Sequence, residues 1–296
     1  MRSETRGNVR KPLTVGIGGL GAIGRQVAAA LDAGVEGLEL VAVSARDLDG
    51  ARAKVAGFAR PPKVVPLAEL AALADIVVEC APAAVFEEVA EPAIRAGRIF
   101  VPSSVGALLP RMHLVDLARE TGARIVVPTG ALLGLDAVRA VAEGTIHSVR
   151  MVTRKPPGGL SGAPYLVEHG ISVEGLTEPK KVFEGTAREG ARGFPANVNV
   201  AAALSLAGIG PDRTTLEIWA DPALDRNTHR IEVDADSARF TLEIANVPSE
   251  ENPRTGKNTA LSVIAALRGL TSTLKVGTLP NGKEILNDSQ ASCVRI

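Results

Sequence analysis

The stretch VGIGGLGAIGRQVAAAL, residues 15–31, constrains this chain more than any other. An apolar run of strand type, residues 14–18, meets a cluster of glycines. A helical pattern follows at once, with Ile23, Val27 and Leu31 on one face. Strand, Gly-rich turn and helix, in that order, form the context that a dinucleotide-binding fingerprint requires. Two overlapping registers satisfy G-x-G-x-x-G: Gly16, Gly18, Gly21 and Gly19, Gly21, Gly24. The second is the better reading. Gly19 then makes the turn at the strand's end, Gly21 lets a pyrophosphate approach the backbone, and Gly24 lets the helix pack close to the sheet. Ala22 and Ile23 open the helix, whose unpaired N–H groups and partial positive charge suit phosphates. A tight turn with no ligand would use the same glycines. The position of this one, near the start of a chain patterned as alternating strands and helices, favours a nucleotide.

The length of 296 residues suggests two domains, on the usual scale of roughly 100–200 residues each. Aromatic residues are 3% of the chain, so its cores are built mainly from Ala, Val, Leu and Ile. Lys plus Arg and Asp plus Glu are both 33, a balance that gives no sign of a nucleic-acid or membrane-surface partner. No apolar stretch approaches the ~18 residues of a membrane span. The opening MRSETRGNVRKP is polar and basic. It lacks the apolar core of a secretory signal and reads as a disordered lead-in. Cys80 and Cys293 make neither a disulfide framework nor a metal spacing, and no metal is expected. The default location is the cytoplasm.

Up to about residue 145, strand-like segments (38–44, 75–80, 98–104, 124–128) alternate with helix-like ones (67–73, a stretch through Ala96 that Pro92 would break or kink, 111–122). Such alternation predicts a parallel sheet covered on both faces, whose buried strands read as continuous apolar runs. The pattern then changes. Residues 145–153 form a strand leading into Arg154-Lys155-Pro156-Pro157-Gly158-Gly159, a loop signal, and 197–207 form an unusually apolar helix. The strands 214–220, 229–234 and 239–245 follow. The last two alternate, with Ile231 and Val233 on one side and Phe240, Leu242 and Ile244 on the other, and 234–238 turn between them. This reads as an antiparallel meander. The expected class is α/β: an N-terminal Rossmann-type doubly wound parallel sheet plus a smaller α+β domain with a mixed, largely antiparallel open sheet. The dinucleotide domain would span 1–130, with 255–296 packing back on it through a helix at 259–270. The catalytic domain would span 131–254.

Cofactor choice is set where the second strand ends. NAD sites usually carry an acid there, about 20 residues past the glycines, for the ribose hydroxyls. Ser44, Ala45, Arg46 and Asp47 occupy that region. Asp47 would reach the ribose, whereas Arg46 would take a 2′-phosphate or stack on adenine, so NAD and NADP both stay open. Of the four histidines, His113 reads as surface, His147 sits in a charged context, and His169 ends a helix where a cation is favourable. His229 follows a loop rich in Asp and Asn and opens a strand. That is a common place for a residue facing a cleft, and imidazole is suited to proton transfer near neutral pH. Asn197 reads as a helix cap, and Asn199 as a side chain facing the cofactor. Arg154 and Lys155 could bind a carboxylate or simply be solvated. Cys80 reads as a buried small apolar residue.

Taken in order, these segments resemble the L-aspartate dehydrogenase family from about Leu13 to Leu270. The stretches that carry the resemblance are Gly19-Leu20-Gly21-Ala22-Ile23-Gly24, Val78-Glu79-Cys80-Ala81, Ser103-Ser104-Val105-Gly106-Ala107, Pro128-Thr129-Gly130-Ala131, Gly134-Leu135-Asp136 and Thr153-Arg154-Lys155-Pro156-Pro157. The most specific are Asn197-Val198-Asn199-Val200-Ala201-Ala202-Ala203-Leu204 and Ala220-Asp221-Pro222 through Asn227-Thr228-His229. The resemblance implies a homodimeric enzyme that uses NAD or NADP to take L-aspartate to iminoaspartate, and so to oxaloacetate and ammonia, reversibly. It also implies a role feeding iminoaspartate into NAD synthesis. It places the family's catalytic histidine on His229 and its cofactor contacts on Ala131 and Asn199. Ala81 is expected beside the cofactor. Lys155 and the backbone at Gly130 are candidates for the substrate carboxylates. The competing readings are a reductase of the dihydrodipicolinate or homoserine type, or a nucleotide-binding regulator without chemistry.

Overall fold

A computed structural model describes residues 11–195, 198–252 and 255–277. The lead-in, Asn197 and Cys293 lie outside these residues. The chain begins β1 (Leu13–Gly18), α1 (Ala22–Asp32), β2 (Leu38–Ser44), α2 (Leu48–Val55), β3 (Lys63–Val64), α3 (Leu70–Leu73), β4 (Ile76–Glu79), α4 (Phe86–Arg95), β5 (Ile99–Pro102), α5 (Val105–Leu108), α6 (His113–Thr121), β6 (Arg124–Ile125) and α7 (Leu135–Val141). Its strands form one parallel sheet in the order β3-β2-β1-β4-β5-β6. The order reverses beside β1, which opens a crevice at the carboxyl ends of β1 and β4, the place where such sheets bind ligands. All of β4 and β5 is buried, as helices on both faces require. Pro92 does not break α4. The helix runs on to Arg95, because its buried face (Phe86, Val89, Ala90, Ala93, Ile94) outweighs the one backbone bond that proline removes.

The chain continues with β7 (Ile146–Lys155), α8 (Pro164–Glu168), β8 (Lys180–Thr186), α9 (Ala187–Gly193), α10 (Asn199–Ala207), β9 (Thr214–Ala220), β10 (Thr228–Ala235), β11 (Arg239–Ala245) and α11 (Asn258–Thr271). The second sheet has the order β11-β10-β7-β9-β8. Strands β10 and β11 form the expected hairpin. Its pairs Val233↔Phe240, Ile231↔Leu242 and His229↔Ile244 put those apolar side chains on one face of the sheet. The meander does not extend to β9. Strand β7 lies between β9 and β10, parallel to the first and antiparallel to the second. Alternation reveals which face of a strand is buried, but not which strand lies beside it. The long β7 takes the middle because both its edges are then paired, with Val149 and Met151 buried in the core. Strand β8, whose sequence KKVFEGT starts with two lysines and carries a glycine, had no strand signal of its own and forms the edge beside β9. Helix α11 returns to the first sheet, where Val263 and Leu267 join the core of β1, β2 and α1.

Candidate active site

Gly16 and Gly18 lie inside β1, so the turn belongs to Gly19, Gly21 and Gly24. Gly19 has φ +105°, and a Cβ there would lie 2.5 Å from the Cys80 carbonyl oxygen. Its N–H donates to the Ser44 carbonyl at 2.8 Å. A Cβ on Gly24 would lie 1.9 Å from the Gly19 carbonyl oxygen, so only glycine lets α1 start against the strand. Gly21 differs: it precedes α1 and a Cβ would meet nothing within 4 Å. That open space at a helix N-terminus is where a pyrophosphate fits. Gly24→Ala is therefore expected to disrupt the fold of the turn. Gly21→Ala should leave thermal stability nearly unchanged and weaken NADH binding about tenfold, as one lost charge-assisted hydrogen bond would. Titration of NADH fluorescence beside a melting curve separates the two.

At the end of β2, Ser44 is buried while Arg46 and Asp47 are exposed. The Asp47 carboxylate caps α2, accepting the Gly50 N–H at 3.0 Å. Ala81 is buried just past β4.

A cleft opens between the two sheets, lined by Ile23 from α1, Thr129–Ala131, Lys155, Asn199, His229 and Gly256, among others. Its polar floor comes from β7 and β10. His229 is paired with Thr153 in the register, and the Thr153 hydroxyl lies 3.1 Å from His229 Nδ1. This contact fixes the ring so that Nε2 is the nitrogen left for chemistry. Lys155, two residues along β7, shares that face. Arg154 points to the other one, where it pairs with Asp221 at 3.1 Å and stacks over Trp219. Strand alternation thus splits two neighbouring cations into a cleft residue and a surface residue. Both cleft groups are buried, Lys155 at 5% and His229 at 3% exposure. Burial pulls the Lys155 amine down to about 8. Burial, with the Lys155 charge as the lesser cause, holds His229 neutral down to about 3. No carboxylate lines the cleft among the described residues.

On the opposite wall, Asn199 is the first residue of α10, and its Oδ1 accepts the Gly106 N–H at 2.9 Å. That leaves Nδ2 as the donor to offer a ligand. The Gly130 backbone, a candidate for a substrate carboxylate, has its own partner. Its N–H donates to Ser262 Oγ at 2.9 Å, so a substrate carboxylate would have to break that bond. The Ala131 carbonyl accepts from Asn258 Nδ2 at 3.1 Å. These two bonds tie the cleft wall to α11. The other histidines stay outside: His113 and His147 are exposed, and His169 stacks on Tyr165 at the end of α8. Cys80 is no nucleophile, because burial pushes its thiol up to about 12.

Residues 136–270 match the family described as aspartate dehydrogenase, C-terminal, and residues 19–128 match the homoserine dehydrogenase NAD-binding domain. The L-aspartate dehydrogenase of Bradyrhizobium diazoefficiens is 60% identical over 266 residues, covering 90% of this chain and 94% of its own. L-aspartate dehydrogenase 3 of Bordetella bronchiseptica is 54% identical, covering 91% and 99%. The chain belongs to the L-aspartate dehydrogenase family. Its fold is shared with the aspartate dehydrogenase of Thermotoga maritima (TM-score 0.66, 23% identity, 90% and 99% of the two chains) and with a homoserine dehydrogenase of Thiobacillus denitrificans (TM-score 0.57, 17% identity, 88% and 73%). Membership accounts for the NAD-binding first domain and for the mixed second sheet. The sequence reading missed Thr153, Ser262 and Asn258 as supports of the site. Each acts on a residue at least 76 positions away, so no local pattern carried the signal.

Proposed function

We propose that this protein is an NAD(P)-dependent L-aspartate dehydrogenase, taking L-aspartate to iminoaspartate and onward to oxaloacetate and ammonia, and running equally in reverse. The observation that carries this reading is that Lys155 and His229 line one cleft with Asn199 and with Ile23 of the helix that follows the glycine turn. A lysine amine on the floor of such a cleft can meet a substrate carboxylate in a charge-assisted hydrogen bond, and L-aspartate carries two carboxylates. The bound nicotinamide would accept or give the hydride. The glycine turn would hold the pyrophosphate of the dinucleotide, and the Asn199 amide its nicotinamide half. Most of the catalysis is positioning of Cα–H against the nicotinamide.

The substrate ammonium must lose a proton before its lone pair can assist hydride departure. His229 Nε2 is the acceptor on the cleft floor. With the cleft empty, the Lys155 charge opposes protonation of His229. A substrate carboxylate bound to Lys155 cancels that charge, so the imidazole becomes a better base when substrate arrives. Once that proton has passed to solvent, the neutral Nε2 accepts a proton from the water that attacks the imine carbon.

The dinucleotide site would accept both cofactors. Asp47 is engaged with Gly50, and the exposed Arg46 beside it supports a contact to a 2′-phosphate. Arg46→Ala should raise KM for NADP about tenfold more than KM for NAD, the worth of one charge-assisted contact. Equal effects on the two would remove Arg46 from cofactor choice.

The whole reading is tested by NADH formation across a panel of amino acids with each cofactor. Aspartate-dependent turnover is expected. Turnover of homoserine without aspartate, or cofactor binding with no turnover, overturns it. A homodimer belongs to the same reading, with the helix-free face of the second sheet, around Val152 and Trp219, as the pairing surface. Sedimentation at the mass of one chain overturns that part.

A further inference from the structure

Glu79 ends β4 with its side chain fully buried, one strand away from the glycine turn in the pair Gly18↔Glu79. A buried carboxyl is costly, and the groups that hold this one are neutral. Its two oxygens accept the Ser104 N–H at 2.9 Å and the Ser104 hydroxyl at 3.1 Å. The Glu79 carbonyl accepts the Ser103 N–H at 2.9 Å, and the Ser104 hydroxyl also reaches the Ala81 carbonyl at 3.3 Å. Burial pushes the carboxyl up to about 7, against these hydrogen bonds.

The bonds converge on the turn that opens α5. Ser104 precedes the four-residue α5 and its side chain makes no capping bond. In place of that cap, the Glu79 carboxylate holds both the N–H and the hydroxyl of Ser104 from the sheet. Two residues further on, Gly106 gives its N–H to Asn199 Oδ1. Ser103 and Asn199 both line the cleft. A continuous chain therefore runs from the Glu79 carboxyl, through Ser104 and Gly106, to the Asn199 amide.

We propose that Glu79 is a positioning residue for the nicotinamide half of the cofactor: it anchors the Ser103–Gly106 turn, and the turn fixes the Asn199 amide. The inference rests on the reading of Asn199 as a cofactor contact. It explains why a carboxyl is kept in the apolar interior of the sheet. It also predicts that Glu79 and Asn199 act as one unit.

The test is the dissociation constant of NADH, from fluorescence titration, for Glu79→Ala, Glu79→Gln, Asn199→Ala and the Glu79→Ala/Asn199→Ala pair. Glu79→Ala should weaken binding about tenfold. Glu79→Gln should recover most of that loss, since its oxygen accepts the Ser104 N–H and its NH2 donates to the Ser104 hydroxyl. The double variant should be no weaker than the weaker-binding single one, the signature of coupled residues. If Glu79→Ala does not fold, Ser104→Ala takes its place. It removes one of the two bonds and should weaken NADH binding roughly two- to fivefold. Unchanged binding in Glu79→Ala or Ser104→Ala, with Asn199→Ala impaired, overturns the inference and leaves the Asn199 contact standing. Unchanged binding in Asn199→Ala overturns the contact and the inference with it. Fully additive effects in the double variant overturn the coupling.

Discussion

His229→Ala should lower kcat by about 10²–10⁴-fold, the usual contribution of a positioned acid–base group, with a much smaller change in KM for L-aspartate. The ring is held by the Thr153 hydroxyl at 3.1 Å and buried on the cleft floor, so truncation removes a proton acceptor whose geometry is already set. Its neutrality down to about 3 adds a second expectation. The kcat/KM profile, which reports the free enzyme, should show no histidine-like acid limb near the ordinary imidazole value of about 6.5. Steady-state kinetics on the purified variant, with circular dichroism to confirm the fold, checks the first part. Wild-type turnover in a folded Ala variant would take His229 out of the mechanism.

Lys155→Met should raise KM for L-aspartate about 10²-fold, the scale of losing a desolvated charge-assisted contact to a carboxylate. The same change should stabilise the protein. The amine falls from an ordinary 10.5 to about 8 in the folded chain, so folding disfavours its charged form. Between those values the unfolded chain binds more protons, and stability rises with pH across that window. Below it the full cost remains, about 3 kcal/mol at pH 7 on the scale of 1.4 kcal/mol per unit. Methionine keeps an unbranched chain one atom shorter and removes the charge, so the melting temperature at pH 7 should rise. In the wild type, KM for L-aspartate should climb as pH passes about 8 and the amine loses its proton. In the Met variant that climb should be absent. A variant with unchanged KM and an unchanged pH profile would show that Lys155 does not hold substrate.

These expectations draw on the sequence unevenly. The glycine turn was legible because its restraints are local. Gly19, Gly21 and Gly24 sit within six residues, and the clash that excludes a side chain at Gly24 comes from Gly19 itself. The parallel sheet was legible because a strand buried on both faces must be apolar throughout, as Ile76-Val77-Val78 is. The resemblance to known relatives singled out His229 and Asn199. The roles of Thr153 and Glu79 were not legible. A threonine in a strand and a carboxylate at a strand end have many ordinary explanations. Only the β7–β10 register and the β4–α5 packing show what each one touches. Asp47 shows the reverse: in sequence it reads as a ribose ligand, and its capping bond from the Gly50 N–H at 3.0 Å appears only in the structure.

Local order, then, came from the sequence by itself: where most of the strands run, where the backbone must bend without a side chain, and which faces turn inward. Each of these depends on neighbours within a few residues, through sterics and apolar periodicity. Tertiary structure alone decided that β7 slides between β9 and β10 and that His229 meets Thr153 beside a buried amine. Those outcomes depend on pairing between distant segments, where many registers satisfy the same alternation and only the packing of the whole core selects one.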